Sequence, residues 1–178
     1  MSRRFIVTAA VLCAASVLAA CGTMGTGSRA TANLAPTGAI SPNPTMGKVT
    51  FKVLEHGVRV EGEVRGFAPG TEHGFHIHEK GDCGDNGNAS GGHFNPGGGT
   101  HGKFAAPGSH AGELPSLVAD SGGVARFSVD VHSISLIEGA NNNVVGRALV
   151  VHRDRDDFTT QPAGNSGPRI ACAVITRG

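Results

Sequence analysis

The sequence predicts an all-β domain, an antiparallel sandwich or barrel of seven or eight short strands with two long polar loops. Three observations point there. Glycine is abundant, at 28 of 178 residues, while the aromatics are 8 Phe with no Trp or Tyr. Apolar residues alternate with polar ones in short runs, the period of a half-buried strand. Gly, Pro and Asn separate those runs, as tight turns require.

Residues 1–20 read as an export signal, with Arg3 and Arg4 as its basic start and residues 5–20 as a short apolar run. That run is too short for a membrane span. Leu18-Ala19-Ala20-Cys21 resembles a bacterial lipobox, so Cys21 is expected to carry lipid and to become the first mature residue. Several acyl chains would hold it firmly on a membrane, where one alone is marginal. The alternative is ordinary cleavage before a free cysteine. Residues 21–29 then form a small, polar, flexible tether, and residues 30–178 form the folded domain. The expected location is the bacterial cell envelope, facing the periplasm. Gly22 lacks the Asp that often retains lipoproteins at an inner membrane. Losing Arg3 and Arg4 takes the formal charge from +1 to −1. Near neutrality argues against nucleic acid as a partner. The sequence leaves a monomer and a homodimer both open.

Residues 30–34 suit a first short strand, and Pro36, Pro42 and Pro44 interrupt the segment after it. Residues 48–54 place Val49, Phe51 and Val53 on one face. After a turn at His56-Gly57, Val58, Val60, Gly62 and Val64 continue in phase, which predicts a hairpin. Pro69-Gly70 turns the chain into Gly-Phe-His-Ile-His-Glu-Lys-Gly-Asp-Cys, residues 74–83. On a strand His76 and His78 share one face and Phe75 and Ile77 the other. That is a pincer for a metal above an apolar anchor, although two histidines alone also suit the polar face of an ordinary strand. Residues 81–112 are nearly devoid of apolar side chains, and so long a loop inside a domain needs an organiser. Bound metal would serve, since His93, His101 and His110 lie within it. Strand character resumes over 114–117, 124–131 and 144–151, with a turn at 141–143. A second polar loop spans 153–168, and 170–175 is a last strand.

Cys13 and Cys21 belong to the export signal, leaving Cys83 and Cys172. An exported chain meets oxidising conditions, so a disulfide between these two is the natural reading. It would close a loop of about 90 residues and contribute on the order of 4 kcal/mol. Two free thiols or two soft metal ligands are the alternatives.

The chemistry lies in the histidines, nine in all. His93, His101, His110 and Glu113 offer three imidazoles and a carboxylate, a donor set for tetrahedral zinc. His76, His78 and His152 offer an all-nitrogen set suited to copper(II).

With these pieces together the sequence resembles the copper–zinc superoxide dismutase family. The matching stretches are GFHIHEKGDC, GGHFNP, HAGELP, GRALVVH and GNSGPRIACAVI, in the family's order, within residues 30–178. The resemblance implies an eight-stranded Greek-key barrel and the conversion of superoxide to oxygen and hydrogen peroxide. It implies copper on His76, His78, His93 and His152. It implies zinc on His93, His101, His110 and position 113, with His93 bridging the two. It makes Arg169 the catalytic arginine that docks the anion, and pairs Cys83 with Cys172. Asp156 would link the copper ligand His76 to the zinc ligand His101, and His73 would be a framework histidine beneath the site. His56 and His132 match no motif and read as surface or packing residues.

Three features depart from the family pattern. Position 113 is Glu where the family has Asp. The segment between Cys83 and His93 is rich in Gly and Asn. The second loop lacks acidic and Lys residues over 158–168, which leaves anion steering to other charges. The competing reading is a non-enzymatic copper-binding or copper-delivery module on the same barrel. Such a module has no need of an arginine beside an open metal position.

Overall fold

Alternation along the strands builds the barrel that the sequence predicts. The structure is a computed structural model, and it describes residues 29–38 and 43–178. The signal, Cys21 and most of the tether lie outside the described residues. The strands are β1 (Arg29–Pro36), β2 (Met46–Leu54), β3 (Gly57–Arg65), β4 (Glu72–His73), β5 (Phe75–His78), β6 (Leu117–Val118), β7 (Val124–Val131), β8 (Ala148–His152), β9 (Arg169–Val174) and β10 (Thr176–Arg177). Eight of them form one antiparallel sheet in the order β5-β8-β9-β1-β2-β3-β7, with β10 also on β1; β4 and β6 make a small separate pair. Chain neighbours β3 and β5 therefore lie far apart in the sheet, and so do β7 and β8, as Greek-key connections require.

Both halves of the sheet share one core. Val49 and Phe51 of β2, Val58, Val60 and Val64 of β3, and Ala125 and Val131 of β7 meet Phe75 and Ile77 of β5 and Leu149 and Val151 of β8. Burying a side chain such as Phe51 or Ile77 is worth roughly 1.5–3 kcal/mol. The opposite face of β5 then carries His76 and His78 outward, beneath the polar loops.

The element boundaries shift in instructive ways. The hairpin turns at Glu55 and His56, and Gly57 opens β3 with φ +103. A Cβ there would sit 2.5 Å from the Val131 carbonyl oxygen, so only glycine lets β3 start so close to β7. Residues 114–117 are not a strand; only Leu117 pairs, with His73. Residues 144–147 turn before β8 begins. The first polar loop is also less structureless than its composition implies. Asp85–Ser90 form a 3₁₀ segment, broken at Asn86 and Gly87 by positive φ. Cys83 and Cys172 are disulfide-bonded, tying that segment to β9. Metal is thus not the sole organiser of the loop.

Candidate metal centre

Strands β5 and β8 pair in register, with His76 opposite Val150 and Phe75 opposite Val151. A register shift after Val151 sets His152 at the end of β8, beside the β5 pincer. Phe94 and Gly112 hydrogen-bond the backbone of Ile77, at 2.8 Å each way, which draws both ends of the first loop onto β5. Gly112 permits this approach, since a Cβ would lie 2.3 Å from the Ile77 carbonyl oxygen.

Two clusters result, and they share His93. His76, His78, His93 and His152 bring one ring nitrogen each within 4.8 Å of one another, and so do the donors of His93, His101, His110 and Glu113. All seven residues are buried. The structure therefore assembles every ligand residue named from the sequence.

Hydrogen bonds fix which nitrogen of each ring points inward. His78 Nδ1 donates to Gly91 O and His152 Nδ1 to Gly167 O, both at 3.0 Å. The two Nε2 lone pairs then face each other at 3.3 Å. His76 Nε2 donates to Asp156 Oδ2 at 2.8 Å, leaving its Nδ1 buried without a partner. His93 Nε2 is likewise unpartnered. Four bare nitrogens thus converge on one point.

On the other side, His110, His101 and His93 bring Nδ1 to 2.8, 2.9 and 3.1 Å from Glu113 Oε1. Zinc–nitrogen bonds of about 2.0–2.1 Å give tetrahedral edges near 3.3 Å, close to this spacing. His101 Nε2 already donates to Asp156 Oδ1 at 2.8 Å, so its Nδ1 faces the carboxylate bare unless a cation or second proton intervenes. His110 Nδ1 makes no hydrogen bond despite its proximity. The donor chemistry fits two adjoining cations.

Protonation follows the same logic. Burial first, then neighbouring rings, push His76 and His78 well below the ordinary histidine value, and burial takes His152 to about 4. Neutral rings keep lone pairs available for metal. Burial would lower His101 too, but Asp156 and Glu113 raise it above its usual value. The Glu113 carboxyl opposes its own burial through the surrounding histidines and sits below its ordinary value.

Arg169 opens β9 next to His152. Its guanidinium donates to Gly87 O (2.7 Å), Ser90 Oγ (3.0 Å) and Gly91 O (2.7 Å). Its charge also reaches His78 and His152. His73 stacks on Phe67 at 4.2 Å and donates from Nδ1 to the His152 carbonyl oxygen at 3.1 Å.

Two supports were not legible in the sequence. Gln161 clamps His101, accepting from its N at 2.8 Å and donating to its O at 2.9 Å. Gly164, at φ +65, leaves room for the Asp156 bridge, where a Cβ would come within 1.9 Å of Oδ1 and 2.5 Å of His101 Nε2. No local signal distinguishes this glycine from the many others in loops.

An antiparallel Greek-key barrel with two adjoining histidine-rich cation sites defines a binuclear metalloprotein. Residues 45–175 match the family described as Copper/zinc superoxide dismutase. The chain belongs to the copper/zinc superoxide dismutase family. It is 39% identical over 134 residues to "Superoxide dismutase [Cu-Zn] 2" of Aquifex aeolicus, covering 73% of this chain and 78% of that one. It is 36% identical over 143 residues to "Superoxide dismutase [Cu-Zn]" of Onchocerca volvulus, covering 74% and 89%. Two solved structures have similar folds. "Clock protein EA4" has a TM-score of 0.75 at 35% identity, covering 86% of this chain and 97% of its own. A superoxide-dismutase-like protein from Bacillus subtilis has a TM-score of 0.70 at 32% identity, covering 80% and 95%.

Proposed function

We propose that His76 Nδ1, His78 Nε2, His93 Nε2 and His152 Nε2 hold copper, and that His93, His101 and His110 through Nδ1 hold zinc with Glu113 Oε1. The activity is superoxide dismutation, in which two superoxide ions and two protons give oxygen and hydrogen peroxide. Copper, when bound, supplies one-electron cycling that zinc cannot. The observation that carries the assignment is the pair of donor sets sharing His93, each aimed at its own centre.

The chain's own groups do the rest. His93 Nε2, unpartnered within the protein, would hold a proton for product only when its lone pair is free of the metal. Arg169 presents a fixed positive charge beside that set, docking the anion and raising its local concentration. Its three backbone and hydroxyl contacts hold the guanidinium in one place. Asp156 fixes the tautomers of His76 and His101 at once. The arginine beside an all-nitrogen set favours the enzyme over a copper-delivery module.

The lipobox supports a lipoprotein form, with residues 1–20 removed, Cys21 acylated and the domain held at the cell envelope, facing the periplasm. Metal analysis of the purified mature protein, run beside superoxide turnover, tests the whole assignment. Copper and zinc in equal amounts, with turnover lost on copper removal, is the expected result. Full turnover without copper would overturn it.

A further inference from the structure

Strand β1 joins two ends of the barrel. At its far end Thr37 donates from N to Ile170 O at 3.3 Å and from its hydroxyl to Arg169 O. At its start Arg29 pairs with Lys52 and Ala30 with Arg177. Seven steps of about 3.3 Å separate these ends by about 23 Å.

The Arg29 end carries a groove of about 310 Å³ with a mixed lining, in which Val53, Leu136 and Ile137 lie among Glu55, His132 and Asn142. Arg177 Nη2 donates to Leu136 O at 2.9 Å, which fixes the groove beside the start of β1. Val53 continues the core phase of Val49 and Phe51, yet it is 44% exposed, and Ile137 is 67% exposed. Among the described residues only four large apolar side chains are exposed, and these two share the groove.

We propose that this end of the barrel rests on a phospholipid surface through Val53 and Ile137, so that Arg169 faces away from the membrane. The inference rests on the reading of Cys21 as lipidated. Eight peptide steps join Cys21 to Arg29, and they span about 28 Å at full extension. Both ends of the barrel lie within that reach, but the tether enters at the Arg29 end, beside the groove, and Arg169 lies a strand's length from that entry. A short tether keeps the groove at high effective concentration near the bilayer, so a weak contact is enough to set orientation. The flanking charges are mixed: Arg29, Lys52 and Arg177 stand near Glu55 and Glu138, and Lys52 pairs with Glu61. Apolar contact rather than charge therefore carries the docking, and neutral lipid suffices. The arrangement leaves the anion-docking face open to the solvent that brings superoxide.

The test uses the full chain, processed in cells and reconstituted into phosphatidylcholine vesicles containing nitroxide-labelled lipid. A fluorophore on Ile137→Cys should be quenched several-fold more than one on Arg155→Cys, which is exposed beside Glu72 and lies two residues after Arg153, whose N donates to the Pro168 carbonyl oxygen next to Arg169. Glu138→Cys gives the same reading should Ile137→Cys fail to fold. Equal quenching at both ends, on protein that floats with the vesicles, overturns the orientation and leaves the anchor standing. An unmodified Cys21 by mass spectrometry, on protein that does not float, overturns the anchor and the orientation with it. Crosslinking between Ile137→Cys copies assigns the groove to a second copy and also overturns the proposal.

Discussion

Glu113 shows how much one methylene can ask of a loop. Its Oε1 closes the second donor set, while Oε2 lies buried 3.4 Å from His76 Nε2. One glutamate oxygen thus meets His93, His101 and His110 together. Glu113→Ala should lower zinc affinity by about 10-fold or more, since losses around a site alone reach that size. Copper should stay, because His76, His78 and His152 lie outside that loop. Unchanged zinc affinity and thermal stability would show that the carboxylate is not a ligand. Arg169 makes a different prediction. Arg169→Glu should cut turnover strongly with copper content unchanged, mainly by slowing association, and the wild-type rate should fall as salt rises. Arg169→Lys should recover only part of the loss, because a point charge cannot serve Gly87 O, Ser90 Oγ and Gly91 O in one geometry. An Arg169→Glu protein as active as wild type would remove the residue from anion docking.

At the scale of elements, the second polar loop reaches both donor sets through Asp156, which accepts from His76 and His101. Asp157 holds the loop by accepting from Thr160 Oγ1, Thr160 N, Thr159 N and Asn165 Nδ2. Those bonds keep its carboxyl well below the usual carboxylate range. Gly164 then packs against Asp156 and His101. Gly164→Ala should cost about 1–3 kcal/mol in backbone strain alone, and displacing the Asp156 bridge should lower zinc affinity by about 10–100-fold. Denaturant unfolding and competitive zinc titration of the same variant would measure both. Native-like values in both would mean that the loop has slack at this point. The strands β2, β3 and β7 were legible because alternation is a local property. Asp85–Ser90 was not, since its shape depends on Asn86 and Gly87 at positive φ and on contacts from Arg169, which is distant in sequence.

For the molecule as a whole, the disulfide couples stability to the site. Cys83 and Cys172 are 89 residues apart, and closing such a loop restricts the unfolded chain by on the order of 4 kcal/mol. The same link pins the 3₁₀ segment that holds Arg169. Replacing both cysteines by serine should therefore lower the midpoint of thermal unfolding by about 10 °C. It should also increase hydrogen exchange around Ser90 and reduce turnover with the metals still bound. A stability loss with unchanged exchange and turnover would confine the disulfide to the unfolded state's entropy.

The sequence by itself determined the local half of this protein. The period of two along β5 put His76 and His78 on one face. A single loop collected His93, His101, His110 and Glu113, and the lipobox set the expectation for Cys21. Only the tertiary structure decided how the two donor sets become one centre. His152 meets His78 across 74 residues, and Asp156 meets His76 across 80 and His101 across 55. Arg169 finds Gly87 across 82. The physical reason is that side-chain alternation needs only a strand's own backbone. These meetings need the sheet order β5-β8-β9 and its register, which hydrogen bonds between distant segments and a shared core settle together.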